Sequence, residues 1–413
     1  MSREVPQGWT LQPLADLANY INGRAFKPED WVSSGLPIIR IVNMTNSDAA
    51  FNFYEGKDVD DGHMIQDGDI LFSWSATLSI QKWTRGAGVL NQHIFKVVPT
   101  GAVQPDWLLY VLQNEVERLA DQSHGSTMKH IKKGVLKTHH VGVPPLHEQR
   151  RIAEILSSVD EAITATRAVI KQTRKVNQGA LERLVTKGIC HTRFKHTEIG
   201  KIPEGWEVVT LFDALREPVR NGYSPVSPPS PTGGWLLSLG SLSNDGLTGE
   251  NLKPAPLDDP RMGAAKLSCG DVLISRSNTP DRVGMVGIYK GQPSNCFFPD
   301  LMICLRFRES LINADFGALW LRHLQATGYF KRAAAGTSAS MVKINRGLLS
   351  QIRIAVPSIG EQKAIVNKIN DIQLTIGAVE DELRAAVSMK VALMTDLLTG
   401  CKRVTDALPM AAE

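Results

Sequence analysis

The chain is a duplication of itself. Val5-Pro6-Gln7-Gly8-Trp9 returns as Ile202-Pro203-Glu204-Gly205-Trp206, and Gly68-Asp69-Ile70-Leu71-Phe72-Ser73 returns as Gly270-Asp271-Val272-Leu273-Ile274-Ser275. A longer match carries Met128, Ile131, Gly134, Leu136, Val143, Pro144, Glu148, Gln149 and Ile152 onto Met341, Ile344, Gly347, Leu349, Val356, Pro357, Glu361, Gln362 and Ile365. The offset is 197 from Trp9 to Trp206, 202 from Gly68 to Gly270 and 213 from Met128 to Met341, so the second copy carries insertions between fixed anchors. A repeat this long decides the architecture before any single element does. Each copy is domain-sized, which predicts a pseudo-two-fold molecule offering two similar surfaces to something itself roughly symmetric.

The 413 residues suffice for two to four domains with their own cores. No stretch approaches the roughly 18 uninterrupted apolar residues of a membrane helix. Met1-Ser2-Arg3-Glu4-Val5-Pro6 lacks a signal-peptide core. The expectation is a cytoplasmic protein with no membrane partner. Cys190, Cys269, Cys296, Cys304 and Cys401 are odd in number and contain no C-x-x-C pair, which argues against a disulfide framework and against zinc. A formal net charge of +4 fits a polyanionic partner without selecting one.

From Leu146 the pattern turns helical. Ile152, Leu156, Val159, Ile163, Thr166, Ile170 and Leu184 fall on steps of three and four, and Ile365, Ile369, Ile372, Ile376, Val379, Leu383, Ala386, Leu393 and Leu397 repeat them. Both runs begin after proline, at Pro144-Pro145 and Pro357, and both end at glycine, at Gly188 and Gly400. Ser358 and Glu361 have capping-box spacing. Helices of roughly 38 residues, about 55 Å long, follow. A seam so long and narrow needs another helix, and the nearest is its own duplicate. Antiparallel pairing is expected because each lobe precedes its own helix, and Ile152, Leu156, Val159, Ile163 and Ile170 should face Ile365, Ile369, Ile372, Ile376 and Leu383. The remaining regions, about 1–143 and 191–356, mix short strand-like runs, such as Leu36–Val42, Asp69–Ser73 and Asp271–Ser275, with short helices near Asp106–Leu119 and Asp315–Tyr329. The fold class is α+β.

Catalytic signatures are absent: the chain has no phosphate loop, no H-E-x-x-H and no G-x-S-x-G elbow. His139-His140 reads as structural rather than metal-binding. Trp9 and Trp206 read as core. Two other segments are informative. Ser73-Trp74-Ser75-Ala76-Thr77 and Ser275-Arg276-Ser277-Asn278-Thr279 put different polar residues on one frame, and Arg and Asn are the side chains that make bidentate bonds to guanine and adenine edges. A solvated hairpin is the alternative. The stretches entering each long helix carry hydroxyls and then cations, Ser126, Thr127, Lys129, Lys132 and Lys133 in one copy and Thr337, Ser338, Lys343 and Arg346 in the other. That mixture suits a phosphate clamp, and equally a capped helix with a solvated basic face. Lys82, Arg85, Arg261 and Arg282 add positive charge to the same faces if the loops lie together.

The order P-x-G-W, then G-D-[IV]-L-x-S, then a G-[ST]-rich turn, then P-x-x-x-E-Q-x-x-I opening a long helix, all twice, resembles the specificity subunit of a type I restriction-modification system. The resemblance covers nearly the whole chain. It implies a non-catalytic chain in which two target recognition domains, about 1–143 and 191–356, are separated by two antiparallel spacer helices, within 144–190 and 357–400, with a tail at 401–413. Each domain would read one part of a split, asymmetric target in double-stranded DNA. The implied partners are two methyltransferase subunits and the restriction and translocase subunits. S-adenosylmethionine, ATP and magnesium would then belong to those partners and no cofactor to this chain. A non-catalytic protein-interaction scaffold, or a subunit with a hidden nuclease or methyltransferase centre, are the alternatives that the residues alone leave open.

Overall fold

In each copy the strand after the P-x-G-W turn pairs with the strand that leads into the long helix. Thr10–Pro13 runs antiparallel to His140–Val143, with Thr10 opposite Val143, and Glu207–Thr210 runs antiparallel to Arg353–Val356, with Glu207 opposite Val356. Both beginnings follow a P-x-G-W turn, and both ends precede a P-x-x-x-E-Q motif. The computed structural model describes residues 5–57, 59–121, 130–338 and 341–404, with the backbone alone for 335–338.

The centre of each lobe is a four-stranded antiparallel sheet of one order. In the first copy it runs Ala18–Asn22, Ile94–Pro99, Ile70–Ser73, Ser79–Lys82, and in the second Arg220–Asn221, Met302–Leu305, Val272–Ser275, Val286–Ile288. The repeated Gly-Asp turn explains why both copies make it. Gly68 and Gly270 sit at φ +96° and +90°, where a side chain is strained. The following aspartate closes the turn by accepting from Gln66 N at 2.8 Å or Ser268 N at 2.9 Å. The same carboxylate pairs with a cation on, or just after, the neighbouring strand of the sheet, Asp69 with Lys96 at 3.0 Å and Asp271 with Arg306 at 2.7 Å. A smaller sheet lies beside each. Its parallel core places Ile38 opposite Val89 in one lobe and Leu236 opposite Phe297 in the other. The short helices expected near 106 and 315 are Pro105–Asp121 and Ala314–Ala326, with Trp107 and Trp320 buried on the sheets.

The expected strand over Leu36–Val42 is corrected. It stops at Ile39, and Ile41–Thr45 is a helical turn because the Asn43 side chain accepts from Arg40 N at 3.0 Å. The second copy's insertions include a hairpin, Leu242–Ser243 with Gly246–Leu247, whose tip is fixed by Arg174 to Asp245 at 3.1 Å and by Arg322 to the Asn244 carbonyl at 2.7 Å.

The long helices are Leu146–Lys187 and Ile359–Thr399. The chain divides into two units, Met1–Arg167 with Asp381–Glu413, and Ala168–Glu380, so that each long helix contributes one part to each unit. Within both units the two helices run antiparallel. In the first, Asp160 meets Lys390 at 2.7 Å while Glu148 meets Arg403 at 2.8 Å; in the second, Arg174 meets Glu380 at 2.6 Å while Ile189 N donates to Glu361 at 3.0 Å. Partner numbers fall along one helix as they rise along the other.

The seam divides between two environments. Ile152 and Leu156 enter the core of the first lobe with Leu397 and Leu398, and Ile365 and Ile369 enter that of the second with Leu181 and Val185. Ile163 and Ile376, 5% exposed each, belong to neither lobe core, and Val159, Ile170, Ile372 and Leu383 are half-buried. The outer turns of the seam are therefore lobe core as well as helix pairing, because the lobes' own apolar faces end there.

The capping box at Ser358 is half-formed. Its hydroxyl accepts from Glu361 N at 3.3 Å, but the Glu361 carboxylate is spent elsewhere. It accepts the Trp206 indole N–H at 3.0 Å, contacts His191 Nε2 at 2.7 Å and accepts Ile189 N. The first copy repeats the bond, Trp9 Nε1 to Glu148 Oε2 at 3.0 Å, with Arg403 donating to both carboxylate oxygens. The neighbouring glutamine is duplicated as well. Gln149 accepts from Gln104 N and donates to the Pro144 carbonyl, and Gln362 accepts from Asn313 N and donates to the Pro357 carbonyl. Gly188 and Gly400, at φ +65° and +74°, end the other long helix against these tryptophans: a Cβ on Gly188 would lie 2.7 Å from the Trp206 ring and one on Gly400 3.3 Å from the Trp9 ring. The motifs found in the sequence thus form one clasp per lobe, in which a carboxylate, buried at Glu148 and half-buried at Glu361, joins the P-x-G-W turn to the helix.

Candidate nucleic-acid interface

The two segments singled out in each copy lie side by side. In the first lobe Trp74 N donates to the His93 carbonyl at 3.1 Å, and the Trp74 carbonyl accepts from Ile131 N at 2.8 Å. In the second, Arg276 N donates to the Leu301 carbonyl at 2.8 Å and the Arg276 carbonyl accepts from Ile344 N at 2.8 Å. Trp74 and Arg276 therefore occupy one position on one frame, each stitched to the basic stretch that follows the G-[ST]-rich turn. Ser75 extends the stitch as a bridge to His130.

The side chains at that position differ in chemistry. Trp74 is half-exposed, and its indole N–H donates to Asn22 Oδ1 at 2.9 Å while His93 and His130 meet the ring edge-on at 4.8 and 4.7 Å. This aromatic group borders a cavity of about 240 Å³ shared with Phe95, Ile131, Lys132 and Lys133. Lys133 donates to the Tyr20 carbonyl at 3.0 Å and Lys132 is exposed. Arg276 is half-exposed and spends one guanidinium nitrogen on the Asp300 carbonyl at 3.1 Å. Lys343 and Arg346, on either side of Ile344 in the chain, are exposed, the latter over the Phe212 ring at 5.6 Å. A partly exposed aromatic face with two lysines, and an arginine with a further lysine and arginine, can stack on or bond to base edges while the cations meet phosphates.

Other expected site residues are turned to structural work. Ser73 is buried, accepting from Ser79 N at 2.8 Å and donating to the Thr77 carbonyl at 2.6 Å, and Thr77 is exposed. Ser275 is buried and accepts from the Asn278 side chain at 3.2 Å. Ser277 and Asn278 do not project from a loop. They form a strand against Met341–Lys343 and are 1% and 8% exposed, because main-chain pairing with that strand covers them.

The extra cations also have partners within the chain. Lys82 pairs with Asp106, Arg85 lies on the Phe51 ring at 4.5 Å and donates to the Asn43 carbonyl, and Arg282 donates to the Leu242 carbonyl. Arg261 forms a fork on Asp259, at 3.0 and 2.9 Å, and that contact holds the Asp259 carboxyl down at about 2. Ser126, Thr127 and Lys129 lie outside the described residues, as do the side chains of Thr337 and Ser338 on the strand Ala335–Ser338. Among the described residues, no group of three His, Cys, Asp or Glu is placed to hold a metal ion, and no helix is long and apolar enough to cross a membrane.

Residues 6–173 match the family model of the type I restriction modification DNA specificity domain. The chain is 26% identical over 415 residues to the type I restriction enzyme MjaVIII specificity subunit of Methanocaldococcus jannaschii, covering 97% of this chain and 94% of that one. It is 22% identical over 417 residues to the EcoKI specificity subunit of Escherichia coli, covering 93% and 86%. In fold it is similar to a chain from a structural study of complex assembly and conformational transition in a type I restriction-modification system, with a TM-score of 0.59, 16% identity and coverage of 97% and 100%. It is also similar to the S subunit of the type I system of M. genitalium, with a TM-score of 0.53, 13% identity and coverage of 98% of both chains.

Proposed function

This chain belongs to the family of type I restriction-modification specificity subunits, and from that premise we propose that it is a non-catalytic subunit which binds double-stranded DNA and reads one part of a split, asymmetric target with each of its two lobes. The observation that carries the reading is the shared frame: both lobes stitch a variable side chain, Trp74 or Arg276, to a basic segment by the same pair of backbone bonds. A constant backbone with changed contents is what two related readers of different sequences require.

In this mechanism the cations Lys132, Lys133, Lys343 and Arg346 contact phosphates and set register, and Trp74 and Arg276 meet base edges in the groove. By the same family membership, the chain directs two methyltransferase subunits, and with them restriction and translocase subunits. S-adenosylmethionine, ATP and magnesium are used on those partners. The Glu148 and Glu361 clasps hold each reading surface to the helices.

DNA binding by the purified chain, titrated across salt concentration, tests this reading. Affinity should fall linearly on logarithmic axes, and the double change Lys132→Ala with Lys133→Ala should weaken binding to all sequences and reduce the slope by about 2. Trp74→Ala should alter recognition in one part of the target and Arg276→Ala in the other. Binding indifferent to salt would replace this reading by that of a protein scaffold. DNA cleavage or methylation by the pure chain would show a catalytic centre.

A further inference from the structure

Trp74 and Arg276 are not the only residues on the shared frame. The turn that leaves the first strand of the central sheet reads Asn22-Gly23-Arg24 in one lobe and Asn221-Gly222-Tyr223 in the other. Both glycines are fixed by a close approach of backbone, since a Cβ on either would lie 2.1 Å from a carbonyl oxygen, of Asn91 or of Phe298. The residue after each glycine then donates its N–H equivalently, Arg24 to the Leu90 carbonyl at 2.9 Å and Tyr223 to the Phe298 carbonyl at 3.0 Å. A third position follows the parallel strand of the smaller sheet. Arg40 N donates to Asn43 Oδ1 at 3.0 Å and Ser238 N to Ser241 Oγ at 3.1 Å.

These positions share one neighbour. In the first lobe the connection Asn91–His93 bonds to Ile39 beside Arg40, to Arg24 and to Trp74 in turn, through Asn91 N to the Ile39 carbonyl, Gln92 N to the Arg24 carbonyl and Trp74 N to the His93 carbonyl. In the second lobe, the strand and connection from Phe297 to Leu301 bond to Leu237, Tyr223 and Arg276. All six side chains are half-exposed. Their contents are Trp, Arg and Arg in one lobe and Arg, Tyr and Ser in the other. The two arginines of the first lobe lie over aromatic rings, Arg24 over Tyr54 at 4.9 Å and Phe26 at 5.3 Å, with one nitrogen donating to the Tyr54 hydroxyl at 3.2 Å, and Arg40 over Trp31 at 5.8 Å. A stacked guanidinium keeps its planar fork oriented, which is the geometry that recognises guanine O6 and N7.

We propose that each lobe reads bases through three equivalent positions, 74, 24 and 40 in the first and 276, 223 and 238 in the second. The part of the target read by the first lobe then contains guanine contacted by Arg24 or Arg40. This inference rests on the DNA-reading function proposed above and adds the residues that set its specificity.

The test is a map of methylated sequences in cells carrying the whole chain with its methyltransferase subunits, for the variants Arg24→Ala, Arg40→Ala, Arg24→Lys and Arg40→Lys. The lysine variants keep charge and stem but lose the fork, so they guard against a fold lost by truncation. We expect about tenfold or greater loss of discrimination at a guanine in the part that Trp74→Ala also alters, with the other part unchanged and lysine failing to restore it. Three results would each overturn the proposal: an unchanged map, a uniform loss at all sequences, or changes in both parts. If Trp74→Ala and Arg276→Ala also left the map unchanged, the reading surface itself would be misplaced, which separates the two failures.

Discussion

Asp271→Ala should cost about 3–5 kcal/mol of stability, whereas the equivalent Asp69→Ala should cost about 1–2 kcal/mol. The two aspartates close the same turn and pair with the same neighbouring strand, but their surroundings differ. Asp271 is 2% exposed and receives two guanidinium nitrogens of Arg306, at 2.7 and 2.8 Å, with Arg306 itself 15% exposed. Asp69 is 25% exposed and receives one lysine nitrogen at 3.0 Å. Those bonds to Asp271 are the main cause that holds the Arg306 guanidinium above its ordinary range. Removing Asp271 takes away a buried carboxylate with two guanidinium bonds and leaves the largely buried Arg306 with Glu217 as its remaining carboxylate partner, at 3.1 Å, whereas Asp69 is partly solvated and Lys96 keeps its bond to the Met64 carbonyl at 2.8 Å. Denaturant unfolding of the whole chain measures both changes, and equal losses would contradict this account of the turn.

Ile163→Asp and Ile376→Asp should each lower stability by about 3–5 kcal/mol, while Val169→Asp should change it by about 0.5 kcal/mol or less. Ile163 and Ile376 are 5% exposed on the inner faces of the long helices, and Val169 is 51% exposed on the same helix as Ile163. A carboxylate at either isoleucine would be desolvated where the helices pair. Thermal unfolding gives the comparison. A loss at Ile163 no larger than at Val169 would mean that the seam carries no burial energy.

Much of this architecture is legible in the chain because duplication prints each constraint twice. The Gly-Asp turns, the proline starts and glycine ends of the long helices, and the Trp of P-x-G-W all depend on residue types with few substitutes. What escaped the sequence depends on pairs far apart in it. Trp9 and Glu148 are separated by 139 residues and meet only because the first and last strands of the lobe pair, so nothing local marks Glu148 as the acceptor of an indole N–H. Arg403 and His191, which complete the clasps, carry no motif at all.

The reading surface was legible as two segments, not as one frame. Ser277 and Asn278 have the composition of a loop, yet backbone pairing with Met341–Lys343 buries them. Arg85 looks like a free cation until Phe51 and the Asn43 carbonyl hold it, and Ile41–Thr45 looks like strand until the Asn43 side chain caps it as a turn. For Arg85 and Asn43 a side-chain bond to backbone outweighed intrinsic preference, and for Ser277 and Asn278 main-chain pairing with a distant strand did.

The central claim is that two lobes on one frame read separate parts of one DNA target. It is tested most directly by determining every methylated sequence in a genome modified by this chain with its methyltransferase subunits, beside the single variants Trp74→Ala and Arg276→Ala. The account predicts a target of two short defined sequences, different from each other and separated by unspecified bases, with Trp74→Ala altering one and Arg276→Ala the other. A single continuous target, or both variants altering the same part, would contradict it.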